Sequence, residues 1–291
     1  MRQLGPTMAA LRFAVGLVAA IAAAAPLAAQ VAVTPTRLVF DRPGRTLALY
    51  ISNTDTAEHS YDLVLGDRVM LPSGEVLASS GAQKDPKIAE VASRLQSALP
   101  YMLVTPQRVT VPAGRSQVVR VRYTGPVDGV AERRTHLTIS ALPSPNAGPT
   151  AEQVLGQDQF TMRLNVAVGV SIPVVARNGR ADVRAELAEA KLLSGEVPAE
   201  AGAPAQKVST LSLELRRLGV HSLYGNLEVR GAGGAVLGQL TGVGVYPEIA
   251  ARLIKLPLSR APRAGEALTV TFIDGQDQLG RRLATLTVPP S

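Results

Sequence analysis

The chain has 291 residues, 46% hydrophobic and 18% charged, enough apolar content to fold and enough length for two domains of ordinary size. It has no Cys, three His, no Trp and only 3% aromatics, which excludes disulfides, thiolate metal sites and Cys nucleophiles and argues against ring-lined sugar grooves and base-stacking surfaces. The formal charge of +7, from 30 basic and 23 acidic side chains without a basic cluster, reads as a solvated surface rather than a nucleic-acid footprint.

The first element is an address. Arg2 and Arg12 precede Phe13 to Ala25, an apolar run of thirteen residues, and Pro26-Leu27-Ala28-Ala29-Gln30 follows with small side chains. A bilayer core of about 30 Å takes roughly 20 apolar residues to span. Residues 1–29 therefore read as a cleavable signal peptide rather than an anchor. The mature chain is expected to be exported, without membrane insertion, to the periplasm of a Gram-negative cell.

After residue 30 the pattern is short β-rich runs broken by turns. Val31 to Phe40 is followed by the turn Asp41-Arg42-Pro43-Gly44; Leu47, Leu49 and Ile51 alternate, as do Tyr61, Leu63 and Leu65. Ile88, Val91, Ala92, Leu95 and Leu99 have helical spacing and mark a short helix or crossover. Val109 and Val111 run into Pro112-Ala113-Gly114; Val118 to Tyr123 and Thr135 to Leu142 are further strands. Pro143 to Asp158 reads as a long loop.

From Phe160 to Arg177 every even position is apolar, through Met162, Leu164, Val166, Val168, Val170, Ile172, Val174 and Ala176. Alternate side chains of a strand share one face, and this row is far longer than the usual five or six residues. One small domain does not readily cover it, so part of the row is expected to serve another chain. Pro173 has no N–H for a ladder, so that end is expected at a sheet edge or leaving the sheet.

Arg177-Asn178-Gly179-Arg180 is a turn-like junction, taken as the boundary between a domain over 30–178 and one over 179–291. Beyond it, strands are predicted at Val183 to Leu193, Val208 to Arg216, Gly225 to Val229, Val243 to Tyr246, Arg252 to Leu256 and Ala267 to Ile273. Ser194 to Gln206 is predicted to be a loop, and Gly231-Ala232-Gly233-Gly234 a hairpin tip.

Thr36-Arg37-Leu38-Val39-Phe40, then Leu47 to Asn53, then Thr105 to Gly114, then Thr135 to Pro143 come in an order that resembles the periplasmic pilus-assembly chaperones of the chaperone–usher pathway. The row ending Ser171-Ile172-Pro173-Val174 is similar to that family's donor strand. The resemblance covers residues 31–177 and is weaker over 181–291. It implies an all-β fold of two immunoglobulin-like β-sandwich domains at an angle, and no enzyme activity or cofactor. It further implies pilin or fimbrial subunits and an outer-membrane usher as partners, and leaves open a self-capping homodimer. The donor-strand residues would be Met162, Leu164, Val166, Val168, Val170 and Ile172, entering a subunit that lacks its own last strand.

The family also holds the subunit's C-terminal carboxylate with cleft cations, and the matching position is Arg37. The family's second cation, a donor-strand lysine, aligns with Pro173 here. Arg108, inside another matched motif, is the first substitute; Arg134 and Arg163 stand behind it. The rival readings are a secreted two-domain adhesion or carbohydrate-binding protein and an exported hydrolase. The scarce aromatics and overlong row count against the first, and no clustered catalytic group supports the second. His59, His136 and His221 are far apart in sequence, so no metal site or catalytic residue is assigned.

Overall fold

The computed structural model describes residues 31–142, 169–197 and 206–290. The expected signal peptide, the loop from Pro143 and the row from Phe160 to Val168 lie outside them. In chain order the strands are β1 (Val31–Thr34), β2 (Leu38–Phe40), β3 (Thr46–Asn53), β4 (His59–Gly66), β5 (Arg68–Met70), β6 (Val76–Ala78), β7 (Met102–Thr105), β8 (Arg108–Val111), β9 (Ser116–Tyr123), β10 (Glu132–Ala141) and β11 (Gly169–Arg177). Then come β12 (Ala185–Val197), β13 (Gln206–Arg217), β14 (Leu223–Arg230), β15 (Val236–Val245), β16 (Ala251–Pro257), β17 (Leu268–Asp274) and β18 (Arg282–Val288). They build two β-sandwiches.

The first sandwich packs a four-stranded sheet, β1-β3-β9-β7, on a five-stranded sheet, β2-β11-β10-β4-β8. Period-two alternation decides what faces inward. In β9, Val119, Val121 and Tyr123 are buried while Arg120 and Arg122 are exposed. Phe40, Leu49, Ile51, Tyr61, Leu137 and Ile139 join them in one core, with the Phe40 and Tyr123 rings 6.0 Å apart. Buried Asn53 closes the β3–β4 turn by donating to the carbonyls of Ala57 and Val111 at 2.7 and 2.9 Å.

Val31 to Phe40 is not one strand. β1 belongs to the four-stranded sheet and β2 to the five-stranded one, because Pro35 has no N–H to extend a ladder and the chain crosses between sheets there. Pro106 separates β7 from β8 at an equivalent crossing.

The second sandwich packs β12-β13-β16 on β15-β14-β17-β18. Its core holds Leu211, Leu213, Leu215, Leu227, Val229, Val270 and Phe272. The predicted loop from Ser194 starts later than expected: the β12–β13 ladder runs on to Val197↔Gln206, since backbone pairing is indifferent to the Gly and Ser that suggested a loop. Gly231 to Gly234 is the tip of the β14–β15 hairpin.

Residues 67–101 form an excursion between β4 and β7. It comprises the β5–β6 hairpin, short 3₁₀ turns and one helix, α1 (Pro86–Ala92), capped by Asp85, whose carboxylate accepts from the Lys87 N–H at 2.9 Å. Val69, Met70, Ile88 and Val91 are buried in the core of the second sandwich, not the first. The Leu253 N–H donates to the Pro72 carbonyl at 2.8 Å. The excursion therefore ties the two sandwiches together.

Candidate ligand-anchoring site

Strand β10 is buried on both faces. Leu137 and Ile139 enter the first core. On the other face Glu132, Arg134 and His136, spaced by two, are 4%, 1% and 3% exposed. What covers that face is the second sandwich and the excursion, and the contacts are ionic.

The Arg134 guanidinium pairs with Glu248 and donates to His136 Nδ1 at 3.1 Å. Glu248 Oε1 also accepts the Met70 N–H at 3.0 Å. The Tyr246 ring lies 4.0 Å from the Arg134 guanidinium carbon. Burial, with Arg134, Arg68 and Arg37 adding to it, pushes His136 down to about 2, so the ring is neutral and can accept. At the end of β11, Arg177 donates to Glu132 at 2.9 Å, to Asp277 at 2.6 and 2.8 Å, and to the Ser222 carbonyl at 2.9 Å. Burial lowers the Arg177 pKa, but Glu132 and Asp277 together carry it above the ordinary arginine value.

Arg37 is different. It sits in the β1–β2 crossing and reaches the second sandwich, where Nη2 donates to Ser222 Oγ at 2.7 Å. The rings of Tyr224 and Tyr246 lie 5.0 and 5.8 Å from its guanidinium carbon. Its Nε and Nη1 are buried and have no hydrogen-bond partner among the described residues. Burial pushes its pKa below the ordinary arginine value; Arg177 and Arg134 add to that, and Tyr246 and Glu132 oppose it without reversing it. Each buried donor left unmade costs about 1–3 kcal/mol. The arrangement suits an anion that accepts from one of these donors.

The structure does not bring Arg37 and Arg108 together. They lie at opposite edges of the five-stranded sheet, Arg37 leading into β2 and Arg108 on β8, four strand spacings or roughly 19 Å apart. Arg108 is exposed and forked onto Asp62 at 2.5 and 2.9 Å. The cations beside Arg37 are instead Arg177 and Arg134, the latter one of the substitutes named behind Arg108. Ile172 is set into the chain's own sandwich. It is 2% exposed and, with Val174 and Ala176, belongs to the first core, so it is not free to enter another chain. Val170 is half-buried at the rim of that core. Met162, Leu164, Val166, Val168 and Arg163 lie outside the described residues.

β2 pairs in parallel with β11 only from Val174 onward, Leu38↔Val174 being the first register pair. Gly169 to Pro173 pair with β10 on one side, and no described strand pairs with them on the other. Arg37, one residue before Leu38, stands level with Pro173 at the end of this open edge. Sequence reasoning did not assign Ser222, Tyr224, Tyr246 or Glu248 any chemistry. They come from the second sandwich, and no spacing along the chain links them to Arg37. Among the described residues no group of three or more His, Asp or Glu could hold a metal ion, and no helix is long and apolar enough to cross a membrane.

No family model matches the sequence, and no curated protein matches it. In structure the chain is similar to the CupB2 chaperone of Pseudomonas aeruginosa, at 14% identity and TM-score 0.44, covering 89% of this chain and 100% of that one. It is similar to a chain of the Salmonella enterica SafA pilin–SafB chaperone complex, at 16% identity and TM-score 0.43, covering 89% and 95%. It is also similar to a chain of the CsuC–CsuE chaperone–tip adhesion subunit pre-assembly complex from the archaic chaperone–usher Csu pili of Acinetobacter baumannii, at 12% identity and TM-score 0.43, covering 89% and 98%.

Proposed function

We propose that this chain is a periplasmic chaperone for pilus or fimbria-like subunits. It lends part of the row before residue 172 to an incomplete subunit and passes that subunit to an outer-membrane usher. One observation carries the reading: a buried guanidinium with two unmet donors stands at the end of an open strand edge. An extended segment laid along Gly169 to Pro173, parallel to β11, would bring its C-terminal carboxylate to Arg37. That single alignment supplies ladder hydrogen bonds and a charge-assisted anchor that fixes the register.

The apolar alternation supports the same reading. Ile172, Val174 and Ala176 close the chaperone's own core, and the sequence keeps the same period through Val170, Val168, Val166 and Leu164. Each aliphatic side chain buried in a subunit groove contributes about 1.5–3 kcal/mol before ordering costs. Four of them are enough for a stable complex without nucleotide or cofactor. The domain boundary belongs in the turn after Arg177.

Calorimetric titration with a short synthetic peptide of alternating Val and Thr tests this, with a free carboxylate or a carboxamide at its C-terminus. The free acid should bind more tightly, and Arg37→Ala should remove the difference at a loss of about 10- to 100-fold, the worth of a hydrogen bond to a charged group. Equal affinities in the wild type and Arg37→Ala refute the anchor. Val168→Asp should abolish capture of a co-expressed subunit while circular dichroism stays unchanged. Wild-type yield of the complex would remove the row from the mechanism.

A further inference from the structure

Resting on that reading of Arg37, we infer that the second sandwich supplies two parts of the anchor: Ser222 holds the guanidinium in place and Tyr224 is its movable cover.

The case for Ser222 is one of satisfied valence. Its hydroxyl has one proton and two lone pairs. The proton goes to Glu132 Oε2 at 3.2 Å; the lone pairs receive Nη2 of Arg37 at 2.7 Å and Nη2 of Arg177 at 3.2 Å. The Ser222 N–H donates to the same Glu132 oxygen at 3.0 Å, and the residue is fully buried. The hydroxyl therefore has one orientation, and with Nη2 held by it a carboxylate oxygen meets either Nε on one edge of the guanidinium or Nη1 on the other. Ser222 touches no ligand oxygen in this scheme. It is a positioning residue.

Those two donors are closed off from solvent, so something must move before a carboxylate reaches them. Two rings lie over Arg37. Tyr246 is 6% exposed and packed against Arg134, which is itself paired with Glu248; it is fixed. Tyr224 is only half-buried. Two of its near neighbours are glycines: a side chain at Gly242 would begin 3.5 Å from its hydroxyl, and one at Gly275 3.5 Å from its ring. The backbone around Tyr224 thus leaves room that a larger residue would fill. The ring shields the cation while the site is empty, and it turns aside when an anion replaces that cation–π contact with charge-assisted hydrogen bonds.

Stopped-flow anisotropy with the fluorescently labelled Val–Thr peptide, as free acid and as amide, separates the parts. Tyr224→Ala should raise the association rate of the acid about fivefold, the worth of one cation–π contact, and Tyr224→Phe, which keeps the ring, should leave it at the wild-type value. Ser222→Ala should cut the acid-over-amide preference about tenfold, and Ser222→Thr, which keeps the hydroxyl, should restore it. Thermal melts of each variant identify any loss of fold, and the Phe and Thr variants keep the comparison valid if an Ala variant is unstable. If Arg37→Ala keeps the preference for the acid, the anchor reading itself fails. If Arg37→Ala loses it while Tyr224→Ala and Ser222→Ala behave as wild type, the anchor stands and the roles of Ser222 and Tyr224 are overturned.

Discussion

At the β8 edge of the five-stranded sheet Arg108 lies in water with both oxygens of Asp62 forked onto it. At the β2 edge Arg37 lies under a second domain with two nitrogens, Nε and Nη1, facing no acceptor. Both arginines are candidates in the sequence, Arg37 at the matching anchor position and Arg108 as the first substitute for a second cation, and both carry a full charge. Their surroundings separate them. In water a carboxylate partner costs little to find and adds little. Under a domain, every donor without a partner has already lost its hydration, and an arriving anion recovers it. A buried cation next to its own carboxylates, as at Arg177, is equally silent. Among the described residues Arg37 alone keeps two buried side-chain nitrogens without a partner, and that sets it apart from the other arginines.

The largest test of that contrast lies on the β2 side, in the pair that holds the domains together. Arg134 and Glu248 are each 1% exposed. Glu248→Ala would leave a buried guanidinium with His136 alone and strand the Met70 N–H. We expect a loss of about 3–5 kcal/mol in urea unfolding. Removing both charges together, as Arg134→Met with Glu248→Leu, should recover part of it, because the pair itself has to overcome a large desolvation cost. A midpoint unmoved by Glu248→Ala would mean that the excursion and the contacts of Arg177 and Arg37 hold the domains without this pair.

The next effect is one of pH and belongs to the same face. His136 titrates at about 2 in the folded chain because burial and then Arg134 oppose its charge, against about 6.5 when unfolded. The unfolded state therefore binds the extra proton between those values. Stability contributed by the neutral ring is full above pH 6.5 and is lost as pH falls below it. Between pH 7 and pH 5 the loss from this group is roughly 2 kcal/mol. His136→Asn, which keeps an acceptor for Arg134, should remove most of that pH-dependent drop. The same drop in the variant would assign it to other groups.

Much of the first sandwich was legible in the sequence, because a strand buried on one face writes its burial as period two: β3, β4, β9 and β10 are read from Leu49 and Ile51, Tyr61 and Leu63, Val119 and Val121, Leu137 and Ile139. What escaped is what no period records. The crossing at Pro35 was folded into one predicted strand, although it is what carries Arg37 to the second sandwich. Glu132, Arg134 and His136 also alternate, but polar side chains at that spacing do not announce a buried face until a second domain covers them. Ile172 shows the opposite difficulty. An unbroken apolar row does not say where one core ends and another begins, and here the chain's own core takes it from Ile172 onward. Arg37 could be proposed from a motif; Ser222 and Tyr224 are brought to it by tertiary structure alone.

The smallest expected effect completes the contrast. Arg108 and Asp62 each lift the other's charged state, Arg108 raised and Asp62 lowered mainly by their hydrogen bond, in a pair open to solvent. Exposed pairs of this kind are screened by salt and give up side-chain entropy to hold their geometry. Arg108→Ala should therefore leave the urea midpoint within error of wild type, and it should leave the preference for a free-acid peptide unchanged. Both halves of the expectation matter. A lower midpoint would show that β8 depends on its cross-strand ion pair. A lost preference would show that the ligand reaches across the whole sheet to the β8 edge, and the distinction between the two arginines drawn from burial would then fail.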